Sequence, residues 1–510
     1  MPVTERFGGF SRALLAAAAV SCLCDFAAAE WENPKARPPL AKPHRRSGAE
    51  GLPPLPLPAT PLRRSERKRE PTPPALVGMI NFSGARFLLA DGRRRQVEAF
   101  PTTQIDIERL MQFANNRLKV RYRHMPMTLD KFSWDPTELP VLYVTGWTPM
   151  PQLGEAVLNK LRRYLYDGGT LVVHAQCGRQ EFVETARREL ARLFPDRQLA
   201  AADTDSPLFH ACFDIGQMRV RKDDRPFETG KPYIEAIHLG CRPAVIFSPI
   251  DLNCGWDVAS RPIQGGILYH QDDALKLGVN IIATALANFQ YARAWGTQKV
   301  YHQQGEKTRD QLVIAQIVHD GDWDPTPHAL PNLMKYVQEN TTLNVQFKRE
   351  VLDAADSAIF KHPVLYLTGL RDFKFTDVQV ERLRRFLGAG GVLIADAAAG
   401  RWAFDVAFRR EIKRVLPSAG LKVIPIDSPI YQMPNRIRSA DYTALVKVQH
   451  PSLNAPVLEG ITIDGQLAVI YSPLSLSNGW ERLGFAYNRG YSDTDALRLG
   501  ANILSYALTH

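Results

Sequence analysis

In His174-Ala-Gln-Cys177-Gly178 a thiol follows directly on the apolar run Thr170-Leu-Val-Val173. A cysteine between a strand and the next helix can do nucleophilic chemistry. The positive end of the helix lowers the thiol pKa and helps to hold an oxyanion. Such a nucleophile also needs a histidine base within hydrogen-bond reach and a group that orients the base. His174 is the nearest histidine in sequence, although it is too close to Cys177 to be the usual partner. Asp205, after the following strand region, is the candidate carboxylate. His210, His238 and His270 are further candidates for the base, and no motif selects among them. The competing reading of Cys177 is a buried or disulfide-bonded cysteine.

A second cluster, His319-Asp-Gly-Asp-Trp-Asp324, follows another apolar run. Asp320, Asp322 and Asp324 alternate as the oxygen ligands of some calcium loops do, which suggests a divalent cation as cofactor. Asp396 and Asp427 also follow strand-like runs and are candidates for ligand binding at the same edge. Carboxylates that converge there would repel, raising one pKa, or recruit a cation. The spacing lacks the twelve-residue loop and closing Glu of an EF-hand. Asp-Gly and Asp-Pro are also ordinary turn chemistry, so a solvated polar edge is the competing reading. Trp323 and Trp402 offer ring faces on which a sugar could stack, or they pack.

The elements that must position these residues occur twice. Val141-Leu-Tyr-Val-Thr-Gly146 returns as Val364-Leu-Tyr-Leu-Thr-Gly369, and Ala274-Leu-Lys-Leu-Gly-Val-Asn-Ile281 returns as Ala496-Leu-Arg-Leu-Gly-Ala-Asn-Ile503. Ser206-Pro and Ser248-Pro…Gly255-Trp256 recur as Ser428-Pro and Ser472-Pro…Gly479-Trp480, always about 222–224 residues on. That period is far longer than a solenoid repeat, so each copy can bury its own core. What both copies keep is read as architecture, including the two Gly-Trp pairs. What one copy alone keeps is a candidate for function. Copy 2 has Ala399 at the position of Cys177 and Asp396 at that of His174, so it cannot do thiol chemistry there.

Copy 2 reads as strands at 312–318, 343–351, 364–368, 392–395, 421–426 and 467–471. They alternate with helices at 329–339, from Thr376, at 404–416 and at 496–508. Thr376 and Gln379 form a capping box, and Val380, Leu383, Phe386 and Leu387 make one apolar face of that helix. Gly168-Gly169 and Gly390-Gly391 precede strands and so read as helix C-caps, not phosphate loops. Continuous apolar strands alternating with helices predict two tandem, doubly wound, mostly parallel-sheet α/β domains. The expected boundaries are 76–291 for copy 1 and 311–510 for copy 2, with a linker over 292–310. No Walker, Rossmann, zinc or serine-elbow motif is present.

Outside the copies, residues 1–29 read as a secretory signal, with Arg6 and Arg12, the apolar run Ala13–Val20 and Ala27-Ala-Ala29 before Glu30. Ala19-Val-Ser-Cys22 offers a lipid anchor at Cys22 as an alternative. The apolar run is too short to span a bilayer, and the mature chain shows no transmembrane segment. Residues 30–75 hold twelve prolines and ten Lys/Arg against five Asp/Glu, so about half of the +10 net charge of the 510-residue chain sits there. This is the composition of a solvated polyproline spacer. A nucleic-acid surface would need a basic face on a folded motif, and none is visible, so nucleic acid is not an expected partner. Cys177, Cys212, Cys241 and Cys254 remain after the signal, all in copy 1. Export would allow them to oxidise.

Gly321-Asp-Trp-Asp-Pro, Leu383-Arg-Arg-Phe-Leu, Gly390-Gly-Val-Leu-Ile-Ala-Asp396 and Phe404-Asp…Phe408-Arg-Arg-Glu resemble the bacterial family DUF4159, a domain of unknown function. Phe100-Pro-Thr, Gly168-Gly-Thr-Leu and Phe194-Pro-Asp resemble a more divergent member in copy 1. The resemblance implies a flavodoxin-like sheet related to class I glutamine amidotransferase-like domains, and it implies no activity. Fold alone does not assign function. The expected function is therefore an exported, non-catalytic module that binds an envelope protein or a carbohydrate. The alternative is a hydrolase or amidotransferase-like enzyme using Cys177 or the copy 2 carboxylates.

Overall fold

A computed structural model describes residues 72–80, 105–146, 148–257, 266–297 and 311–509, together with the backbone of Arg86–Leu88 and Arg94–Gln96. The expected signal and nearly all of the Pro/Arg-rich spacer lie outside the described residues. No described helix is long and apolar enough to cross a membrane.

Copy 1 is built on β1 (Ala75–Ile80), β2 (Arg123–Met127), β3 (Val141–Gly146), β4 (Thr170–Ala175), β5 (Ala200–Ala201), β6 (Glu235–Leu239) and β7 (Arg242–Ser248). Their order across the seven-stranded sheet is β2-β1-β3-β4-β7-β6-β5. The first five in that order pair in parallel, and β6 and β5 add antiparallel. Copy 2 repeats the plan with β8 (Ala315–Val318), β9 (Glu350–Asp353), β10 (Val364–Gly369), β11 (Val392–Ala397), β12 (Lys422–Val423), β13 (Glu459–Ile463) and β14 (Gln466–Ser472). Its order is β9-β8-β10-β11-β14-β13-β12. The chain is thus two tandem α/β domains with largely parallel sheets.

Both faces of each sheet are covered, which is why the strands read as unbroken apolar runs. Val141 and Tyr143 of β3 face one way, onto helices Ile105–Leu118 and Gln271–Ala287. Leu142 and Val144 face the other way, onto Glu155–Tyr166 and Gln180–Leu193. Copy 2 splits its core in the same manner.

The shared residues hold this architecture. Trp256 and Trp480 are buried and donate their indole N–H to the carbonyls of Ala274 and Ala496, at 2.9 and 2.7 Å. The adjacent glycines are required by space. A Cβ on Gly255 or Gly479 would lie 2.5 or 2.4 Å from the Cβ of the same alanine. Thr376 and Gln379 form the expected capping box, and Gly168 and Gly390 take the left-handed conformation that ends their helices.

Three sequence expectations change. Helix Phe289–Thr297 runs past the boundary expected at 291, because Tyr291, Ala292 and Trp295 are buried against copy 1. The strand expected at 343–351 is displaced to Glu350–Asp353 and that expected at 421–426 shrinks to Lys422–Val423, both at the sheet edges. Strand β13 was not expected at all. It forms a hairpin with β14 through Asp464 and Gly465, both at positive φ, and Asp-Gly is the turn signal that could have revealed it.

Candidate functional site

In an open parallel sheet, ligands bind beyond the carboxyl ends of the strands, near the point where strand order reverses. Here the chain leaves β1 toward β2 and returns on the other side to β3, with β8 and β10 doing the same in copy 2. A surface cavity of about 580 Å³ in copy 2 lies at the opposite end, lined by Gln311, Leu312, Glu350, Lys361 and His362 before or at the starts of the strands. The strand-end edge therefore carries the candidate chemistry.

Beyond β4, Gln176–Gly178 forms a tight turn in which Cys177 takes φ 51° and ψ 18°. Left-handed backbone is uncommon outside glycine and often marks a functional strain. Ala399 adopts φ 51° and ψ 16° at the same place in copy 2, so the turn belongs to the fold and does not require a thiol.

Cys177 is buried beside a carboxylate and a second thiol. The Asp251 carboxylate accepts the Cys177 N–H, the Cys254 N–H at 2.8 Å and the Cys254 thiol at 3.2 Å. The two sulfurs and the Asp251 carboxylate all lie within 4.8 Å of one another.

His174 has its ring nitrogens directed at other partners. It is fully buried, with Nδ1 3.1 Å from the Tyr143 hydroxyl, and Nε2 accepting the Asn253 N–H at 3.4 Å with Thr145 Oγ1 also 3.4 Å away. Burial holds its pKa below the usual value, against the opposing pull of Asp251. Asp205 is not part of this group either, since its charged partners are in copy 2.

Behind the cluster, Asp106 is 1% exposed and accepts Ile107 N–H at 2.6 Å and Asn253 Nδ2–H at 3.0 Å. Burial pushes its pKa up to about 6, with these hydrogen bonds opposing. The folded state therefore binds the proton more tightly than the unfolded chain. Its contribution is most favourable below pH 4 and is lost as pH rises to 6. Asp106→Asn is expected to remove that slope and to be more stable than the wild type at pH 7 by about 2–3 kcal/mol. Urea unfolding of both proteins between pH 4 and 7 checks this. Parallel pH profiles would refute it.

The copy 2 carboxylates do not converge. Asp324 is held by Arg349 through two bonds of 2.7 and 2.6 Å. Asp322 lies 2.9 Å from Arg371 Nε and 3.4 Å from His238 Nδ1. Asp320 accepts only a 3.4 Å bond from Lys374 N–H among the described hydrogen bonds. Of the expected oxygen-ligand loop, Asp322 and Asp324 thus sit in separate ion pairs, and Asp320 accepts a backbone N–H. His319 is structural: its Nε2–H donates to Thr368 O at 2.8 Å, its Nδ1 accepts Gly321 N–H at 3.0 Å, and burial pushes its pKa down to about 4.

Asp396 is not open to a ligand. It is fully buried and accepts from Tyr366 Oη at 2.6 Å, Leu476 and Ser477 N–H at 2.9 Å each, Ser477 Oγ at 2.8 Å and Ser475 Oγ at 3.4 Å. Asp427 is exposed and remote from that bonding. Trp323 lies under the Arg349 guanidinium, 5.7 Å from its ring centroid, while Trp402 is 53% exposed. The two tryptophans do not form one platform.

The strand-end edge of copy 2 is covered by copy 1. Asp205 accepts Trp402 N–H and Arg489 Nη2–H at 2.8 Å each and lies 3.5 Å from Arg401, which also donates to its backbone carbonyl at 2.9 Å. Burial would raise the pKa of Asp205, but Arg401 and Arg489 hold it below the usual carboxylate value. His238 reaches Asp322, Cys241 meets Asn478, and Leu370, Ala398, Ala399 and Phe485 complete a core that belongs largely to copy 1. The contact is head-to-tail, since Asp427, the counterpart of Asp205, is exposed. Gln180, the counterpart of Trp402, is exposed too.

Sequence reasoning missed Asp251, Cys254 and Asp106, and the interface arginines Arg371, Arg401 and Arg489. The comparison that singled out Cys177 against Ala399 would have found Asp251 against Ser475 and Cys254 against Asn478.

These features define a pair of α/β domains in which one covers the strand ends of the other. The family model described as "Domain of unknown function (DUF4159)" matches residues 100–286 and 313–508, and the chain belongs to that family. No curated protein matches the chain.

Proposed function

We propose that the protein is an exported, non-catalytic binding module of the cell envelope, whose strand-end edge in copy 1 docks a protein partner. One observation carries this reading: the equivalent edge of copy 2 already serves as a protein-docking face, with copy 1 as its occupant. The arrangement is heterologous, and such contacts leave one unmatched face at each end. In copy 1 that face includes Gly178, Arg179 and exposed Gln180. The five parallel strands follow the order 2-1-3-4-5, which supports flavodoxin-like and class I glutamine amidotransferase-like kinship. The carboxylate beside Cys177 and the committed ring of His174 weigh against thiol catalysis. The Pro/Arg-rich segment then acts as a spacer behind the signal or a lipid anchor at Cys22.

A photo-crosslinking residue at position 180 in intact cells tests the reading, with position 427 as control. A discrete protein adduct from 180 alone supports it. Adducts from neither position, or selective alkylation of Cys177 at neutral pH that abolishes hydrolysis of an amide or ester, would overturn it. Glycan binding lost on Trp402→Ala would replace the protein partner with a carbohydrate.

A further inference from the structure

We propose that Cys177, Asp251 and Cys254 form a binding site for a thiophilic divalent cation, with zinc the metal that best fits the donor set. The two sulfurs and a carboxylate oxygen already lie within 4.8 Å of one another, the one such group of metal-ligating side chains among the described residues. Tetrahedral zinc with Zn–S bonds of about 2.3 Å sets its sulfurs about 3.8 Å apart, so small side-chain adjustments suffice. Two thiolates exclude calcium and magnesium, which take oxygen ligands, and match zinc, which accepts both sulfur and carboxylate.

The internal repeat is the second observation. All three positions differ in copy 2, which carries Ala399, Ser475 and Asn478 instead. The backbone at the turn is unchanged between the copies. The backbone of Asp251 is clamped by Ile267 O at 3.0 Å and Tyr269 N–H at 3.1 Å, just as that of Ser475 is by Arg489 and Tyr491. The fold therefore does not demand two cysteines here, yet copy 1 places both against one carboxylate. Buried acceptors without hydrogen-bond partners stand immediately before each cysteine in the chain, at Gln176 Oε1 and Asn253 Oδ1.

Cation binding also resolves the local electrostatics. Without a metal, the Cys254 thiol donates to Asp251 at 3.2 Å. With a divalent cation, both thiol protons leave to solvent and three anionic ligands face one positive ion. Three protein ligands leave a fourth position open to water or an exogenous donor. Cys254 is only half-buried, which gives the ion a way in.

The test uses the full chain after reduction and metal removal, with cobalt(II) as the spectroscopic probe and zinc as competitor. One cobalt per chain with a thiolate-to-cobalt charge-transfer band, displaced by one zinc, is expected. Zinc should also protect Cys177 and Cys254 from alkylation, as read by peptide mass spectrometry, and leave Cys212 unprotected. Cys177→Ala and Cys254→Asn, each copying the residue of copy 2, should remove the band and weaken zinc binding by more than about a hundredfold, beyond the cost of changing a residue that only supports a ligand. The alkylation readout on the unaltered protein stands even if a variant folds poorly. Absence of the band, a band that survives both substitutions, or a Cys177–Cys254 disulfide whose reduction yields no metal binding would each overturn the proposal.

Discussion

Asp396→His is expected to destabilise the protein by about 3–5 kcal/mol, and adding Ser475→Asp is expected to restore most of that loss. Asp396 is buried and satisfies two backbone N–H groups and three hydroxyls around the start of helix Ser477–Glu481. A bond to a charged acceptor contributes about 1.5–3 kcal/mol, and buried donors left unsatisfied add their desolvation cost. Copy 1 divides the acceptors differently: His174 Nε2, at the position of Asp396, accepts the Asn253 N–H that corresponds to Ser477 N–H. Its histidine stands at the end of β4, at His174, and its carboxylate stands across at Asp251, where it accepts the N–H groups of Cys177 and Cys254. Tyr143 and Thr145 beside His174 have Tyr366 and Thr368 as counterparts, so a histidine at 396 would meet the same hydroxyls. Ser475→Asp alone would set a second carboxylate against Asp396, whose oxygen is 3.4 Å from Ser475 Oγ, and like charges at that distance destabilise. Urea unfolding of the four proteins gives the coupling energy, expected at about 2–3 kcal/mol in favour of the pair. Additive losses would show that the two copies do not use exchangeable solutions.

Asp205→Ala is expected to cost a further class of stability, about 3–5 kcal/mol, through the contact between the copies. Removing one member of a buried ion pair leaves the other charge uncompensated, and here two arginines lose the same carboxylate. Arg401 is 6% exposed, and burial holds the pKa of Arg489 below its usual value even beside Asp205. Asp427→Ala removes the counterpart carboxylate in copy 2, which is exposed, and should change stability by no more than about 0.5 kcal/mol. The pH response follows from the depressed pKa of Asp205. Its contribution is complete above the ordinary carboxylate value of 3.8 and is lost as pH falls below it. Calorimetry of the two variants at pH 7 decides the matter. Equal transitions for both would mean that the head-to-tail contact does not depend on Asp205.

The two results bear on one another. Asp396 works within copy 2, whereas Asp205 works between the copies, and both were sequence candidates for binding or catalysis because they follow strands. A carboxylate after a strand in this fold has three uses, namely to cap a neighbouring turn, to join the two domains, or to face solvent. Asp396, Asp205 and Asp427 take one each. Residue type is the same in all three and could not separate them, and Asp205 and Asp427 stand at the same distance beyond their short edge strands, while Asp396 lies within β11.

The repeat by itself determined the two-domain division and the architectural role of the Gly-Trp pairs, while hydrophobic patterning determined the fold class and local chemistry the capping box at Thr376. These depend on local chemistry and on hydrophobic patterning, which lie in contiguous residues and recur at a fixed offset. Elements of two residues at a sheet edge, and the hairpin at Asp464-Gly465, were blurred because their partners are long-range. The grouping of Cys177 with Asp251 and Cys254 spans more than seventy positions and was decided only when β4 and β7 became neighbours in the sheet. The pairing of Asp205 with Arg401 and Arg489 needed one more step, the seating of one copy on the other. No periodicity within a single copy encodes that contact, because it joins surfaces that are not equivalent.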